Sequence, residues 1–306
     1  MTHRLQALLV AAIWGVNFVV IEIGLRDLPP LVLTALRFVV AAVPLVLLVP
    51  RPTARLRYVV GYGLVLGVLK FGVLFTAMDA GMPAGLASLV LQAQALVSVL
   101  LAAVLLRERP SGWQLGGVFV GSAGIGMLAL GNGHATVVGF ALTLAAAASW
   151  AVANVVVRAS GETRPLSLLV WSSLVPPIPL LGLASVADGP GAVLDAITGL
   201  SWRGILAVLY VAYVSTLVGF GVWNRLIATY SVARIAPFSL VVPVFGLAAS
   251  WLFLGEPVGV REGVAALVIL TGLALVLRPA RPVPAGRGSA EMGDLALVRL
   301  TGRGGE

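Results

Sequence analysis

Between residues 81 and 106 the chain reads Gly81-Met-Pro-Ala-Gly-Leu-Ala-Ser-Leu-Val-Leu-Gln-Ala-Gln-Ala-Leu-Val-Ser-Val-Leu-Leu-Ala-Ala-Val-Leu-Leu106. No ionisable side chain occurs from Ala84 to Leu106. At about 1.5 Å per residue, a helix of this length covers roughly 34 Å. That distance crosses the hydrocarbon core of a bilayer, so the stretch predicts a membrane-spanning helix.

Two amide side chains, Gln92 and Gln94, lie near the middle of this predicted span. An amide without a partner there costs a few kcal/mol, so each needs a neighbour or a cavity. At about 100° per residue the two amides point about 200° apart, and one can face a cavity while the other faces protein. Small residues at helical spacing on the Gln92 face would let a neighbouring helix approach closely: Gly81, Gly85, Ser88 and Ala95.

The composition extends this prediction to the whole chain. The 306 residues are 59% hydrophobic and 10% charged, against about 45–50% and about 25% in soluble domains. The net charge of +8 comes from basic residues scattered between apolar segments rather than clustered in a patch, which argues against nucleic-acid binding. The absence of cysteine excludes disulfides and thiolate metal sites. The composition predicts a multi-pass membrane protein in a lipid bilayer.

Ten apolar segments are separated by breakers such as Pro29-Pro30, Pro110 and Pro257. They run 5–25, 31–49, 58–78, 84–106, 113–130, 137–157, 166–187, 204–226, 235–254 and 260–277. The first segment is too long for a cleaved signal sequence, so we interpret it as an uncleaved span. One alternate set of loops and termini holds fifteen of the 20 Lys and Arg residues and the opposite set holds three. The positive-inside rule therefore predicts that both termini are cytoplasmic.

Five segments precede the Gly131-Asn-Gly133 loop and five follow it. An odd number in each half predicts two halves of opposite orientation in the membrane. Internal similarity agrees, because Glu108 aligns with Glu256, and Trp14 and Asn17 are matched by Trp150 and Asn154. We expect an all-α integral membrane protein with ten transmembrane helices in two inverted five-helix repeats. Residues 1–130 and 131–278 would form the repeats, and residues 279–306 a disordered cytoplasmic tail.

Two cations lie inside predicted spans. Lys70 lies about twelve residues into the third segment and Arg37 inside the second. A buried lysine needs a counter-charge, a shifted pKa or an anionic ligand. Lys70 could therefore meet a substrate carboxylate, or it could snorkel or pair with Asp79. Arg37 could form a structural or gating ion pair with Glu22 or Asp79.

Other polar and aromatic side chains could contact a solute or join helices. Asn17, Gln92, Gln94 and Asn154 can bind a substrate or form interhelical hydrogen bonds. Trp171, Ser172 and Tyr213 offer aromatic and hydroxyl surface. We interpret Glu108 and Glu256 as determinants of loop geometry. No phosphate-binding loop, nucleophile elbow or metal-ligand spacing occurs, so we expect neither an enzyme nor a cofactor.

Several motifs resemble the EamA family of the drug/metabolite transporter superfamily: Trp14-Gly-Val-Asn17-Phe, Leu36-Arg37-Phe38, Gly81-Met-Pro-Ala-Gly-Leu-Ala-Ser88, Glu108 and Glu256. The resemblance covers about residues 1–278 and looks most like the O-acetylserine/cysteine exporter branch. It implies two inverted five-helix repeats, alternating access, and export of small amino-acid metabolites across the inner membrane. Two positions depart from that pattern. Glu22 stands where many relatives carry a lysine, and Lys70 where the exporter branch has a neutral polar residue.

Our hypothesis is a cavity between the repeats in which Arg37 and Lys70 attract a substrate carboxylate while the amides orient it and aromatic side chains pack against it. Three alternatives stay open: an exporter of a different drug or metabolite, a membrane scaffold or receptor without transport, and an intramembrane enzyme, which would need a catalytic dyad that is not found. Protons are a candidate coupling ion, for which Glu22 is the nearest carboxylate.

Overall fold

A computed structural model describes residues 3–105, 110–130, 135–230 and 232–278, and within these ranges the regular structure is helical. We number ten helices in chain order: α1 His3–Leu25, α2 Pro30–Ala42, α3 Leu56–Asp79, α4 Ala84–Leu105, α5 Gly112–Ala129, α6 Val137–Ser160, α7 Pro165–Asp188, α8 Trp202–Trp223, α9 Pro237–Leu254 and α10 Val260–Val276. Two short helices, Pro190–Thr198 and Val232–Ile235, lie before and after α8. Among the described residues, seven helices are long and apolar enough to cross a membrane: α1, α3, α4 and α6 to α9.

The helix ends follow the local sequence. Ser111 and Gln114 form a capping box at the start of α5, with reciprocal hydrogen bonds of 2.8 and 3.3 Å. The predicted second segment, by contrast, is helical only as far as Ala42, and turns follow to Leu48. Pro44 explains the early end, because it lacks an N–H donor and its ring clashes with the preceding turn. The predicted tail and Glu108 lie outside the described residues.

Three of the long helices are locally irregular. Residues Leu64–Gly72 of α3 and Tyr210–Val218 of α8 are π-helical. Helix α4 is interrupted at Leu91 and Gln92, where the N–H of Gln92 donates to the carbonyl three residues earlier. Because π-helical segments are rare and concentrate at functional sites, α3 and α8 are the helices to inspect for one.

Glycines allow several helix pairs to approach closely. A Cβ on Gly117 of α5 would lie 2.5 Å from the carbonyl oxygen of Gly272 on α10. A Cβ on Gly67 of α3 would lie 2.0 Å from Pro176 of α7, and one on Gly246 of α9 would lie 2.3 Å from the hydroxyl of Ser88 on α4. Ser88, on the small-residue face of α4 that the sequence predicts to pack closely, thus meets Gly246 of α9.

Polar contacts tie loops together at each end of the bundle. At one end the carboxylate of Glu162, between α6 and α7, accepts hydrogen bonds from the Thr53 hydroxyl at 3.0 Å and the Ala54 N–H at 2.8 Å. At another site the hydroxyl of Ser201, which caps α8, donates to the carboxylate of Asp27 between α1 and α2. The α6–α7 loop thus joins the α2–α3 loop, and the α1–α2 loop joins the start of α8.

Candidate functional site

Lys70 lies in the π-helical part of α3 and is 4% exposed. Its ammonium nitrogen lies 3.0 Å from the centroid of the Phe71 ring and 4.7 Å from that of Trp150 on α6. No carboxylate among the described residues lies within 4.0 Å of it. Cation–π contacts of this kind contribute up to about 2 kcal/mol when desolvated, less than a counter-ion would, so the ammonium is only partly compensated.

Arg37 on α2 is 1% exposed and reaches the same ring. Its guanidinium carbon lies 3.6 Å from the centroid of Phe71, and its Nη2 donates a hydrogen bond of 2.9 Å to the hydroxyl of Thr216 on α8. The Thr216 hydroxyl donates in turn to the carbonyl of Val211, five residues earlier in the π-helical part of α8. The Nε and Nη1 atoms of Arg37 are buried and have no hydrogen-bond partner in the described part of the chain, so this guanidinium retains unused donors.

The two cationic groups are close neighbours. Because they lie 3.0 and 3.6 Å from one ring centroid, their separation is at most about 6.6 Å. Two unit charges at that distance repel by about 2.5 kcal/mol at an effective dielectric constant near 20. An anion bound beside them would replace this repulsion with two attractions.

The structure does not show the ion pair expected between Arg37 and Glu22 or Asp79. No carboxylate of the described residues lies within 4.0 Å of Arg37. Glu22 lines a cavity at the end of the bundle, and Asp79 is exposed at the end of α3. The guanidinium instead turns toward Phe71 and Thr216, which lie deeper in the bundle.

The four amides occupy different environments. Asn17 is buried and its Oδ1 atom has no hydrogen-bond partner. Gln92 donates from Nε2 to the carbonyl of Ser239 at 3.3 Å. Asn154 is exposed and donates from Nδ2 to the Oε1 atom of Gln94 at 3.2 Å, joining α6 to α4. The two asparagines that match in sequence therefore do not match in burial.

The remaining predicted contacts lie away from the cations or are already satisfied. Trp171 donates from Nε1 to the carbonyl of Val49 at 3.2 Å, and the guanidinium of Arg51 lies 5.4 Å from its ring. Ser172 is buried with its hydroxyl bonded to the carbonyl of Leu168 at 2.6 Å. Tyr213 is 36% exposed. None of the three makes a polar contact with the Arg37 and Lys70 groups in this conformation.

Two cavities lie toward opposite ends of the bundle. One of about 300 Å³ lies where α1 and α3 end and α4 and α10 begin, and its lining includes Glu22, Ser250, Glu256 and Glu262. The other, of about 370 Å³, lies where α4 and α10 end and α5 begins, and Gln94, Ser98 and Gln114 supply its polar lining. The polar residue Gln94 of the sequence prediction thus lines a cavity.

Glu256 has a structural function. Its two carboxylate oxygens accept hydrogen bonds from the N–H groups of Ala84 and Gly85, at 2.8 and 2.9 Å. These are the first residues of α4, whose N-terminus carries a partial positive charge and unsatisfied N–H groups. Glu256 therefore caps α4 from the loop between α9 and α10.

Comparison with known proteins identifies the family. The sequence profile of the EamA-like transporter family matches residues 3–130 and, a second time, residues 137–278. The chain belongs to this family. It is therefore a multi-pass membrane transporter and not an enzyme.

Relatives of this EamA-family chain carry related names. It is 43% identical over 274 residues to a probable amino-acid metabolite efflux pump of Escherichia coli strain K12, covering 87% of this chain and 92% of that protein. It is 28% identical to a probable terminal-alkyne amino-acid exporter of Streptantibioticus cattleyicolor, covering 90% and 95%. A crystal structure that is 19% identical superposes with a TM-score of 0.59 and covers 89% of this chain and 95% of that one, which shows a shared fold.

Sequence reasoning missed several partners in the site of this EamA-family transporter. Phe71, Trp150 and Thr216 surround the two cations, yet an aromatic ring or a threonine in an apolar helix looks the same whether it binds or packs. One signal was available, because Phe71 directly follows Lys70 and Trp150 was already noted as a repeat position. Among the described residues no group of His, Cys, Asp and Glu could hold a metal ion.

Proposed function

We propose that this protein is an inner-membrane secondary transporter that exports small amino-acid metabolites, resembling O-acetylserine or cysteine, by alternating access. The observation that carries the proposal is the pair of buried cations, Arg37 and Lys70, which share the Phe71 ring and have no carboxylate of the described residues within 4.0 Å. Charged groups inside membrane proteins are costly and mark solute paths. A carboxylate is the solute group that would compensate both cations, and a bidentate guanidinium contact would use the free donors of Arg37.

The names of the relatives support the class of solute. Both the Escherichia coli efflux pump and the Streptantibioticus exporter are named for amino-acid compounds. An amino acid carries the carboxylate that the two cations require. Cysteine and O-acetylserine are also small enough for the cavities of about 300 and 370 Å³.

Two inverted repeats of five helices, within 1–130 and 131–278, belong to this proposal. The two family matches, 3–130 and 137–278, support the division. The helix contacts are also symmetric, because a contact between two helices recurs between their counterparts in the other half. The contact of α1 with α9 corresponds to that of α6 with α4, the contact of α1 with α8 to that of α6 with α3, and the contact of α2 with α8 to that of α7 with α3. The two π-helical segments also occupy corresponding helices of the two halves, since they lie in α3 and α8.

Alternating access would follow from rocking one repeat against the other. Helices α2 and α3 of the first half meet α7 and α8 of the second around the two cations. The hydrogen bond between Arg37 and Thr216 crosses this boundary, so motion between the halves would change the surroundings of the cations. Protons are the candidate coupling ion, which an imposed pH gradient would test.

Efflux from proteoliposomes tests the proposal. We expect saturable transport of labelled cysteine by the wild-type protein and little transport of cysteinamide, which lacks the carboxylate. Lys70→Gln should raise the KM for cysteine about tenfold or more, because a hydrogen bond to a charged group contributes about 1.5–3 kcal/mol. Arg55→Gln, an exposed arginine before α3, is the matched control and should change KM less than about twofold.

Three outcomes would contradict the proposal. Absence of flux in the wild-type protein would favour a scaffold or receptor. Transport of unrelated drugs without transport of amino acids would favour a different exported class. Equal transport of cysteine and cysteinamide would show that the transporter does not recognise the carboxylate.

A further inference from the structure

The cavity of about 300 Å³ at the end of the bundle is separate from the Arg37 and Lys70 pair. Met78, which lines it, lies eight residues beyond Lys70 on α3, about 12 Å along the helix axis. The arginine distribution assigns this end to the outside of the cell. A solute leaving the two cations in that direction would therefore meet this cavity next.

The charged lining of the cavity is entirely acidic. Glu22, Glu256 and Glu262 contribute carboxylates, and no Lys or Arg of the described residues lines it. Glu256 is used to cap α4. Neither Glu22 nor Glu262 has a basic group among the described residues within 4.0 Å, and Glu262 is only 7% exposed. Two carboxylates are thus available to a cation that enters the cavity.

Ser250 supplies an independent indication of a ligand. It lines the cavity, is 1% exposed, and its hydroxyl has no hydrogen-bond partner among the described residues. Several other helical serines donate to a carbonyl of the preceding turn, as Ser173 and Ser185 do at 2.6 and 2.8 Å. A buried hydroxyl without a partner costs about 1–3 kcal/mol, and a donor placed in the cavity would remove that cost.

The rest of the lining indicates the chemical class of the ligand. Met78, Met82, Leu86 and Leu247 form an apolar wall, which suits an organic molecule better than a hydrated ion. The described residues hold no group suited to a metal ion. A primary ammonium has three N–H donors and can satisfy two carboxylates and a hydroxyl at once.

We infer that this cavity binds the primary ammonium group of a small organic solute through Glu22, Glu262 and Ser250. Its role as the exit-side subsite for the exported amino-acid compound rests on the proposed function. Lys70 and Met78, which lines the cavity, lie about 12 Å apart along α3, a separation longer than the distance between the carboxylate and the ammonium of an amino acid. The two sites would be occupied in turn, first through the carboxylate and then through the amine.

Calorimetric titration of the purified full-length protein in detergent tests the binding directly. The probes are n-butylammonium and n-butanol, which match in size and differ in charge. We expect saturable binding of n-butylammonium and at least tenfold weaker binding of n-butanol. Glu22→Gln and Glu262→Gln should each weaken n-butylammonium binding about tenfold, and Ser250→Ala about threefold or more.

Asp188→Asn is the matched control, because Asp188 is an exposed carboxylate at the end of α7 that does not line the cavity. The affinity of this control variant for n-butylammonium should stay within about twofold of that of the wild type. Equal binding of the two probes, or an equal loss in Asp188→Asn and Glu22→Gln, would overturn the inference. If Glu22→Gln does not fold, unchanged binding in Ser250→Ala would overturn it as well.

Cysteine efflux from proteoliposomes separates this inference from the proposed function. Wild-type binding of n-butylammonium that depends on Glu22, without cysteine flux, would support the cavity site and contradict the export proposal. Cysteine flux without binding of n-butylammonium would overturn the cavity site and leave export standing. Slower cysteine efflux in Ser250→Ala, with an unchanged KM for cysteine binding at Lys70, would support both the cavity site and the export proposal.

Discussion

Under the proposed function, Lys70 would be a side chain that is retained to bind a solute although its buried charge is unfavourable for folding. It is buried, its contacts are aromatic rings, and Arg37 adds repulsion. Replacing poorly compensated buried charges with apolar residues often stabilises a protein by about 1–4 kcal/mol. Replacing a lysine with a purely structural function would instead destabilise the protein.

We therefore predict that Lys70→Met raises the melting temperature of the detergent-solubilised protein while it reduces cysteine efflux. The expected gain is on the order of 1–3 kcal/mol. Lys70→Arg, which keeps the charge, should give no such gain. Tryptophan fluorescence recorded during heating gives the melting temperatures of both variants. A lower melting temperature in Lys70→Met would indicate that the ammonium stabilises the fold.

Glu162 is a carboxylate outside the membrane-spanning helices whose ionised form the fold stabilises. Desolvation raises its pKa, but hydrogen bonds from the N–H groups of Ala54 and Arg164 and from the Thr53 hydroxyl outweigh that effect and hold the pKa below its ordinary value of 4.5. A group with a lowered pKa in the folded state stabilises the protein above its unfolded pKa, and loses that contribution as the pH falls through the folded pKa.

We predict that Glu162→Gln lowers the melting temperature at pH 7 and that this difference shrinks as the pH falls below about 4.5. Melting curves of the two proteins between pH 3 and pH 7 test this. Asp188→Asn, for which a comparable set of hydrogen bonds is absent among the described residues, is the control. A difference that stays constant over this range would contradict the assignment.

The sequence identified the two buried cations because a charge stands out in an apolar helix. It did not identify their partners. Phe71 and Trp150 satisfy the same hydrophobic pattern as residues that face lipid, so only the fold distinguishes them. The expected pairing of Arg37 with Glu22 failed for a related reason, since position along a span does not fix the direction in which a long side chain extends.

At the level of single helices, one face of α5 is fixed by its contact with α10. A Cβ on Gly117 would lie 2.5 Å from the Gly272 carbonyl oxygen and 2.8 Å from the Val276 nitrogen, both backbone atoms that cannot move aside. The neighbouring Gly116 has no atom within 4 Å of an added Cβ. The two glycines thus differ in surroundings while sharing a helix.

We predict that Gly117→Ala destabilises the protein by about 1–3 kcal/mol through overpacking. Gly116→Ala should be neutral or stabilising by up to about 1 kcal/mol, because alanine has the higher helix propensity. Thermal unfolding in detergent compares the pair. Equal effects of the two substitutions would show that α5 and α10 tolerate separation, contrary to the close packing of the structure.

Apolar runs and breakers predicted most helices within a few residues, as for 84–106 against Ala84–Leu105. The π-helical segments of α3 and α8 escaped prediction, because an uninterrupted apolar sequence carries no periodic signal of an altered helix turn. The short extent of α2 escaped for a different reason. Pro44 lies within the apolar run, so hydropathy alone extends the segment beyond Ala42, where the helix ends.

For the whole molecule, the loop contacts bear on the direction of the two halves. The α1–α2 loop meets the start of α8 through Asp27 and Ser201. The corresponding loop of the second half, between α6 and α7, meets the α2–α3 loop through Glu162 and Thr53. Since α2 separates the α1–α2 loop from the α2–α3 loop, equivalent loops of the two halves lie at different ends of that helix.

This geometry, together with the distribution of arginines, predicts the outcome of single-cysteine labelling in intact cells. The chain has no cysteine, so each introduced thiol is unique. Arg26→Cys in the α1–α2 loop should react with a membrane-impermeant maleimide from outside, whereas Thr163→Cys in the α6–α7 loop should react only after permeabilisation. Both positions are exposed in the structure, so burial cannot account for a difference in reactivity. Labelling of both positions from the same side would mean that the two halves have the same orientation in the membrane. The inverted symmetry that relates α3 to α8 around Lys70 would then be absent, and alternating access could not follow from it.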